Sequence, residues 1–239
     1  MVTTGLGYTA AEAMAGAGSR SSQQAWVESA FDDLLGRPVG DEGLETLTSR
    51  LDAGMPPAVL ARELVGSHEF HARLVAVLYD HYLGRAPDAE GAAAWVAQLD
   101  AGVPVVVVEA ALLSSSEYAD SDADLVDGLY TDVLGRPADP AGRAHWLEML
   151  ATGTPRMQVA ELVLRSREAA EHRSRDALRA FLGEQPDRAQ VQRLAASLRS
   201  TADWPGQWAR IAGSDEYREA AETDSDRPGH AGARALAGT

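Results

Sequence analysis

Residues Leu78–Trp95 read LYDHYLGRAPDAEGAAAW, and residues Leu129–Trp146 repeat the pattern as LYTDVLGRPADPAGRAHW. Both stretches place a Leu-Gly-Arg turn, an aspartate and a second glycine between a tyrosine and a tryptophan. The turn occurs again at residues 35–37, and a weaker Leu-Gly-Glu copy stands at residues 182–184. Successive turn glycines are 48, 51 and 48 residues apart. A fixed period of this length marks tandem structural units, so the sequence predicts four repeats.

A second marker, a serine followed two residues later by glutamate, keeps the same register. Its copies begin at Ser67, Ser115, Ser166 and Ser214. We therefore place repeats at residues 23–70, 71–118, 119–169 and 170–222, and we predict flexible tails at residues 1–22 and 223–239. The first and fourth repeats are degenerate, as terminal capping repeats commonly are.

Each repeat is predicted to contain three helices. In the second repeat, apolar residues from Leu74 to Leu83 recur with the spacing of one helical stripe, and Gly84 suits the end of that helix. Asp88 is typical of the start of a second helix, and Pro104 of the first position of a third. No alternating strand pattern of useful length is present. The predicted fold is all-α, with four three-helix repeats arranged as a solenoid or as paired bundles.

Aromatic residues divide into two groups by their register in the repeat. The predicted core anchors are Tyr79, Trp95, Tyr130 and Trp146. Leucine replaces the two tryptophans in the outer repeats, which favours a core position over a stacking platform. Trp26, Trp204 and Trp208 lie outside this register, so we take them as candidates for exposed ligand contacts, for example with a sugar ring.

The loop between the first and second helices carries the most regular polar motif. Its residues are Gly84, Arg85, Asp88, Gly91, Gly135, Arg136, Asp139 and Gly142. We interpret it as a capping motif in which the aspartate caps the second helix and the arginine covers the last carbonyls of the first. Calcium is the functional alternative, but the loop supplies fewer than the six to eight oxygen ligands that calcium prefers.

The charge balance and the missing residue types narrow the function. The net charge is -15, and all 21 basic residues are arginine. Nucleic acid is a poor partner for such a chain, because binding requires clustered basic residues that neutralise phosphates. The absence of cysteine excludes disulfides and thiolate metal sites. The six histidines form no His-Glu-x-x-His motif and the serines no Gly-x-Ser-x-Gly elbow, so we expect no catalytic residues, no zinc and no enzymatic activity.

The densest acidic cluster consists of Asp120, Asp122, Asp124 and Asp127. We interpret it as the solvated start of a helix, where negative charge is favourable, with a calcium site as the alternative. We expect no other metal or cofactor. No apolar run approaches the ~20 residues that span a bilayer, and residues 1–20 lack the features of a signal peptide. We therefore expect no membrane insertion.

The pattern Leu-Tyr-x-x-x-Leu-Gly-Arg-x-x-Asp-x-x-Gly-x-x-x-Trp, followed by Gly-x-Pro and Ser-x-Glu-Tyr, resembles the bacterial DUF4214 domain family across residues Leu74–Ala170. The resemblance implies a helical domain similar to phycobilisome linker domains, in a family that often accompanies calcium-binding repeats of exported surface proteins. It implies no reaction. It favours an extracellular or particle-associated location and a role in assembly.

The expected function is that of a non-enzymatic helical-repeat protein that joins proteins in a surface, fibre or virion-type assembly. Its partner would be a second copy or another assembly component, with the two tails as docking arms. In one such contact, Arg227 and Arg234 would pair with the acidic stretch Asp120–Asp127 of another copy. The alternative is an adhesion module that depends on carbohydrate or calcium.

Overall fold

The chain is all-α, as predicted. The structure, a computed structural model, describes residues 21–183 and 185–223, and these contain thirteen α-helices, two π-helical turns and no strand. No helix in the described part is long and apolar enough to span a membrane.

The helices group by sequence into four units of three, followed by one more helix. The first two units contain α1 (Ser22–Ala30), α2 (Asp41–Asp52), α3 (Pro57–Val65), α4 (His68–Leu83), α5 (Ala89–Asp100) and α6 (Val105–Leu113). The next two contain α7 (Asp122–Gly128), α8 (Pro140–Ala151), α9 (Arg156–Leu164), α10 (Arg167–Leu182), α11 (Arg188–Thr201) and α12 (Trp204–Ala212). The last helix is α13 (Asp215–Thr223), and the π-helical turns Phe31–Leu35 and Leu129–Val133 extend α1 and α7.

The recurring capping residues explain why the helices begin and end where they do. The Ser67 hydroxyl accepts a 3.2 Å hydrogen bond from the backbone N–H of Phe70 and so caps α4. The same helix ends at Gly84, whose φ of 63° is left-handed. Pro104 and Pro155 are themselves the N-cap residues of α6 and α9, so the third helices begin one residue later than predicted.

The helix bounds also recur over a longer distance than one unit. Helices α2, α3, α4 and α6 return as α8, α9, α10 and α12 with every bound shifted by 99 residues. The π-helical turns follow this larger period, because they occur after α1 and α7 and not after α4 or α10. The first helices and the π-helical turns thus alternate from unit to unit.

The third helices join units that are distant in sequence. Helix α3 packs against α12, and α6 packs against α9. The second helices α2, α5, α8 and α11 make their main contacts with helices of their own unit. The interior between units is consequently built by first and third helices, and one hydrophobic cluster runs from Trp26 to Tyr217.

The last described helix packs against the first described helix, so the two ends of the described chain are in contact. Helix α13 packs against α1, and the Tyr217 hydroxyl donates a 2.7 Å hydrogen bond to Oδ2 of Asp33. The indole N–H of Trp26 donates to the carbonyl of Ala212 at 2.7 Å. Ser22 and Thr223, at the edges of the predicted tails, belong to these two helices.

The predicted exposure of one group of tryptophans is wrong, whereas the two tryptophans predicted to anchor the core do pack against it but are incompletely buried. Trp26, Trp204 and Trp208, predicted to be exposed ligand contacts, are 1%, 3% and 5% exposed. Trp95 and Trp146, predicted to be core anchors, are only partly buried on α5 and α8. Their helices lie outside the interior between units, whereas α1 and α12 lie within it. The anchors Tyr79 and Tyr130 are buried.

The two predicted docking arms lie almost entirely outside the residues that the structure describes. Residues 1–20 and 224–239, with Arg227 and Arg234, lie outside the described residues.

Candidate functional site

An arginine clamp seals the junction between consecutive units at three places. Its arginine comes from the Leu-Gly-Arg turn and its glutamate from the second marker, 32 residues later. The pairs are Arg37 with Glu69, Arg85 with Glu117, and Arg136 with Glu168, with Nη2 to Oε2 distances of 2.8, 2.8 and 3.1 Å. In each pair Nε also donates to Oε1, which gives the bidentate geometry that arginine favours.

Each clamp arginine also covers an aromatic ring of its own unit. The guanidinium carbons of Arg37, Arg85 and Arg136 lie 5.3, 5.2 and 4.9 Å from the ring centroids of Phe31, Tyr79 and Tyr130. These are cation–π distances. The ring and the glutamate together fix the arginine across the junction.

The turn arginine does not have the helix-capping role predicted from the sequence. Instead of covering the last carbonyls of the preceding helix, Arg85 donates through Nη1 to the carbonyl of Ala86 at 3.0 Å and through its other nitrogens to Glu117. The hydrogen bond from Arg85 holds the pKa of Glu117 below its usual value. The arginine therefore connects one unit to the next.

The aspartates of the loop cap the second helices. Asp88 accepts from the N–H of Gly91 at 2.8 Å, and Asp139 from that of Gly142 at 2.9 Å. These bonds, first among several causes, lower the pKa of both carboxyl groups. A side chain at Gly142 would collide with the Tyr130 hydroxyl, 2.1 Å from an added Cβ. The close approach of Tyr130 therefore favours glycine at position 142.

The fourth junction lacks all the parts of the clamp except the glutamate. Leu178 and Leu194 replace the tyrosine and tryptophan of the second and third units, and the turn carries Glu184 in place of arginine. Glu216, the counterpart of Glu117, forms no ion pair with any described residue. A pocket of about 260 Å³ lies at this place, lined among others by Leu178, Leu194, Arg210 and Glu216. We call this pocket the open junction.

The aspartates of the acidic cluster make separate contacts and do not converge on one point. Asp122 pairs with Arg156 at 2.7 Å and Asp127 with Arg143 at 2.8 Å. Asp124 forms a capping box with Ser121 at the start of α7. Asp120 is exposed. No group of three or more potential metal ligands occurs within residues 21–183 and 185–223.

Two histidines share one carboxylate. Nδ1 of His68 and Nδ1 of His71 each lie 2.6 Å from an oxygen of Asp100. Hydrogen bonds from His71 and then His68 lower the pKa of Asp100. His71 also lines a pocket of about 360 Å³, with Arg62 at its edge.

A buried polar network, which the sequence interpretation missed, joins four helices around Glu109 on α6. Glu109 is fully buried and accepts hydrogen bonds from Tyr82 (2.9 Å), Arg173 (2.7 and 3.1 Å) and Trp204 (2.8 Å). Burial alone would lower the pKa of Arg173, but the adjacent Glu109 carboxylate raises it. Burial, and next the charge of Glu109, raise the pKa of Tyr82 well above its usual range.

This network binds helices together and has no room for a substrate. The cavity beside it measures about 10 Å³, close to the minimum for a single water molecule. Glu109 was detectable in principle, because it is the only charged residue of the helix VVVVEAALL. Arg173 lies in a helix rich in charged residues, so no pattern distinguishes it.

Comparison with known proteins identifies a family for the middle of the chain. The family described as Domain of unknown function (DUF4214) matches residues 61–121 and 108–173. No curated protein and no solved structure matches the chain. Residues 61–173 are thus similar to the DUF4214 family, and the two overlapping matches are consistent with tandem copies of its domain.

Proposed function

We propose that this chain is a helical-repeat interaction protein, a linker or structural component that joins other proteins in a larger assembly and has no catalytic activity of its own. The observation that carries the proposal is the open junction. Three junctions are sealed by an arginine clamp, while the fourth presents an apolar pocket and an exposed Glu216 that pairs with no residue the structure describes. A concave apolar pocket with a few charged side chains at its rim is typical of a binding site.

The use of the polar side chains supports an interaction role over catalysis. The clamp pairs hold units together, the loop aspartates cap helices, and Glu109 joins four helices around a cavity too small for a substrate. The competing idea of a carbohydrate-binding groove loses its main support, because Trp26, Trp204 and Trp208 are buried.

Site-specific photo-crosslinking of the full chain in its host cell tests the proposal. A benzophenone amino acid would replace Ala189, which is exposed on α11 one helical turn before Arg193. The matched control would replace Glu90, the exposed residue 99 positions earlier, beside a sealed junction. We expect covalent protein adducts from position 189 and few from position 90. Equal adducts at both positions, or none at either, would contradict the proposal.

A further inference from the structure

The open junction differs from its sealed counterpart by a defined set of side chains. In the second unit, the Trp95 indole donates to the Tyr79 hydroxyl at 3.3 Å, and Arg85 lies over the tyrosine ring. The residues 99 positions later are Leu178 and Leu194. Two aromatic rings are thus exchanged for smaller aliphatic side chains, and the pocket lies where those rings would be.

The size of the pocket fits a side chain better than a complete small-molecule ligand. Its volume of about 260 Å³ is below the ~300–1,000 Å³ usual for ligand pockets. Leu182 and Ile211 extend its apolar lining beyond the two leucines. An inserted aromatic ring would restore the packing that Tyr79 and Trp95 provide in the second unit.

Two arginines occur at the open junction and not at its counterpart. Arg193 and Arg210 line the pocket and are exposed, whereas the residues 99 positions earlier are Ala94 and Ala111. Neither arginine forms an ion pair with a described acidic side chain. Arginine pairs bidentately with carboxylates and stacks on aromatic rings, so both guanidinium groups are available to a partner.

We propose, on the basis of the interaction function above, that the open junction binds an acidic-aromatic segment of a partner protein. An aromatic side chain of the segment enters the pocket against Leu178 and Leu194. A flanking carboxylate of the segment pairs with Arg193 or Arg210. The same guanidinium groups can then cover the inserted ring, as Arg85 covers Tyr79 at 5.2 Å.

The charges of the rim favour this partner over one that inserts an arginine. Glu216 alone would attract a guanidinium group, as Glu117 attracts Arg85. Arg193 and Arg210 would repel it, and they outnumber Glu216 among the described lining residues. The carboxylate of the segment must lie on the arginine side of the pocket, away from Glu216.

Peptide titrations of the isotopically labelled full chain, followed by NMR, test the inference. The probes are capped Gly-Asp-Tyr-Asp-Gly, Gly-Asp-Ala-Asp-Gly and Gly-Arg-Tyr-Arg-Gly. We expect the first peptide to shift the resonances of the pocket residues and to bind at least tenfold more tightly than the other two. Tighter binding of the arginine peptide, or equal binding of the alanine peptide, would overturn the inference.

Variants separate the pocket from the general charge of the protein. Leu194→Trp introduces the residue of the second and third units and should abolish binding. If that variant does not fold, the combined substitution Arg193→Ala and Arg210→Ala at the surface should weaken binding at least tenfold. Its control, Arg165→Ala with Arg188→Ala, removes the same charge from exposed sites outside the pocket and should leave binding unchanged. Equal loss in both double variants would contradict a specific site.

The two experiments fail in different ways. Crosslinks at position 189 without peptide binding would mean that the interaction function stands and the acidic-aromatic partner is wrong. Absence of both would remove the interaction function as well.

Discussion

The Tyr217 hydroxyl donates a 2.7 Å hydrogen bond to Oδ2 of Asp33. An equivalent hydrogen bond joins the residue 99 positions before Tyr217 to the residue 99 positions after Asp33. There, the Tyr118 hydroxyl donates to Oδ2 of Asp132, also at 2.7 Å. Tyr118 precedes α7 directly in sequence, whereas Tyr217 reaches α1 from the far end of the described chain. The segment after the fourth unit therefore supplies to the first unit a contact that the third unit receives from its own preceding turn.

Removal of the Tyr217 hydroxyl should destabilise the protein more than removal of its counterpart. Tyr217→Phe takes a hydrogen bond from Asp33, which is 4% exposed, and we expect a loss of ~1.5–3 kcal/mol. Tyr118→Phe affects Asp132, which is only partly buried and retains access to water, so its loss should be smaller. Urea unfolding followed by circular dichroism measures both. The reverse order would show that the closing contact contributes little.

Truncation of Trp208 should cost more than truncation of Trp95. Trp208 is buried, with its ring centroid 6.2 Å from that of Phe70 and 5.8 Å from that of Phe181. Trp208→Ala should therefore lose ~3–5 kcal/mol of unfolding free energy through cavity formation. Trp95→Ala should lose less, because Trp95 is only partly buried. Similar losses in denaturant unfolding would contradict the burial described here.

The tryptophans show where sequence reasoning succeeds and where it fails. Helix positions were predictable because caps and glycines act locally: Ser67 and Gly84 specify the ends of α4 from residues within or beside it. The burial of Trp26 and Trp208 depends on contacts between the first and fourth units. No periodicity within one unit carries that information, so the register argument chose Trp95 instead.

The candidate site was predictable to a similar extent. The turn arginine was identified from its recurrence, and the aspartate caps from their position before a helix. The partner of the arginine was missed, although Arg85 and Glu117 belong to two markers with a constant offset of 32 residues. The open junction required the structure, because a pocket arises from the side chains that surround two leucines and not from the leucines alone.

Glu109 and Arg173 should be strongly coupled. Either Glu109→Leu or Arg173→Leu leaves a buried charge without its partner, and each should lose ~3–5 kcal/mol. The double variant should lose much less than the sum, since the residues related to these two by 99 positions are the apolar Trp208 and Leu74. A double-mutant cycle in urea measures the coupling. Additive losses would mean that the two groups do not act as a pair.

His81 should make stability fall as the solution becomes acidic. Burial lowers the pKa of His81, and no described group bonds to its buried Nε2. The unfolded chain, with a histidine pKa of ~6.5, then binds more protons than the folded chain, so the free energy of unfolding decreases as pH falls below about 6.5. His81→Asn should reduce this loss between pH 7.5 and 5.5. His145→Asn, at an exposed site, is the control and should follow the wild type.

Truncation before α13 should separate closure of the fold from any role of the residues that follow it. A chain that ends at residue 213 loses Tyr217, which is fully buried, together with its bond to Asp33 and the packing of α13 on α1. We expect a loss of at least the ~3–5 kcal/mol that removal of one large buried aromatic residue costs. A chain that ends at residue 223 keeps every contact described here and should unfold at the same urea concentration as the full chain. If the shorter chain were equally stable, α13 would be an appendage and the first unit would be complete without it. If both truncations lost stability equally, residues 224–239 would contribute contacts of their own.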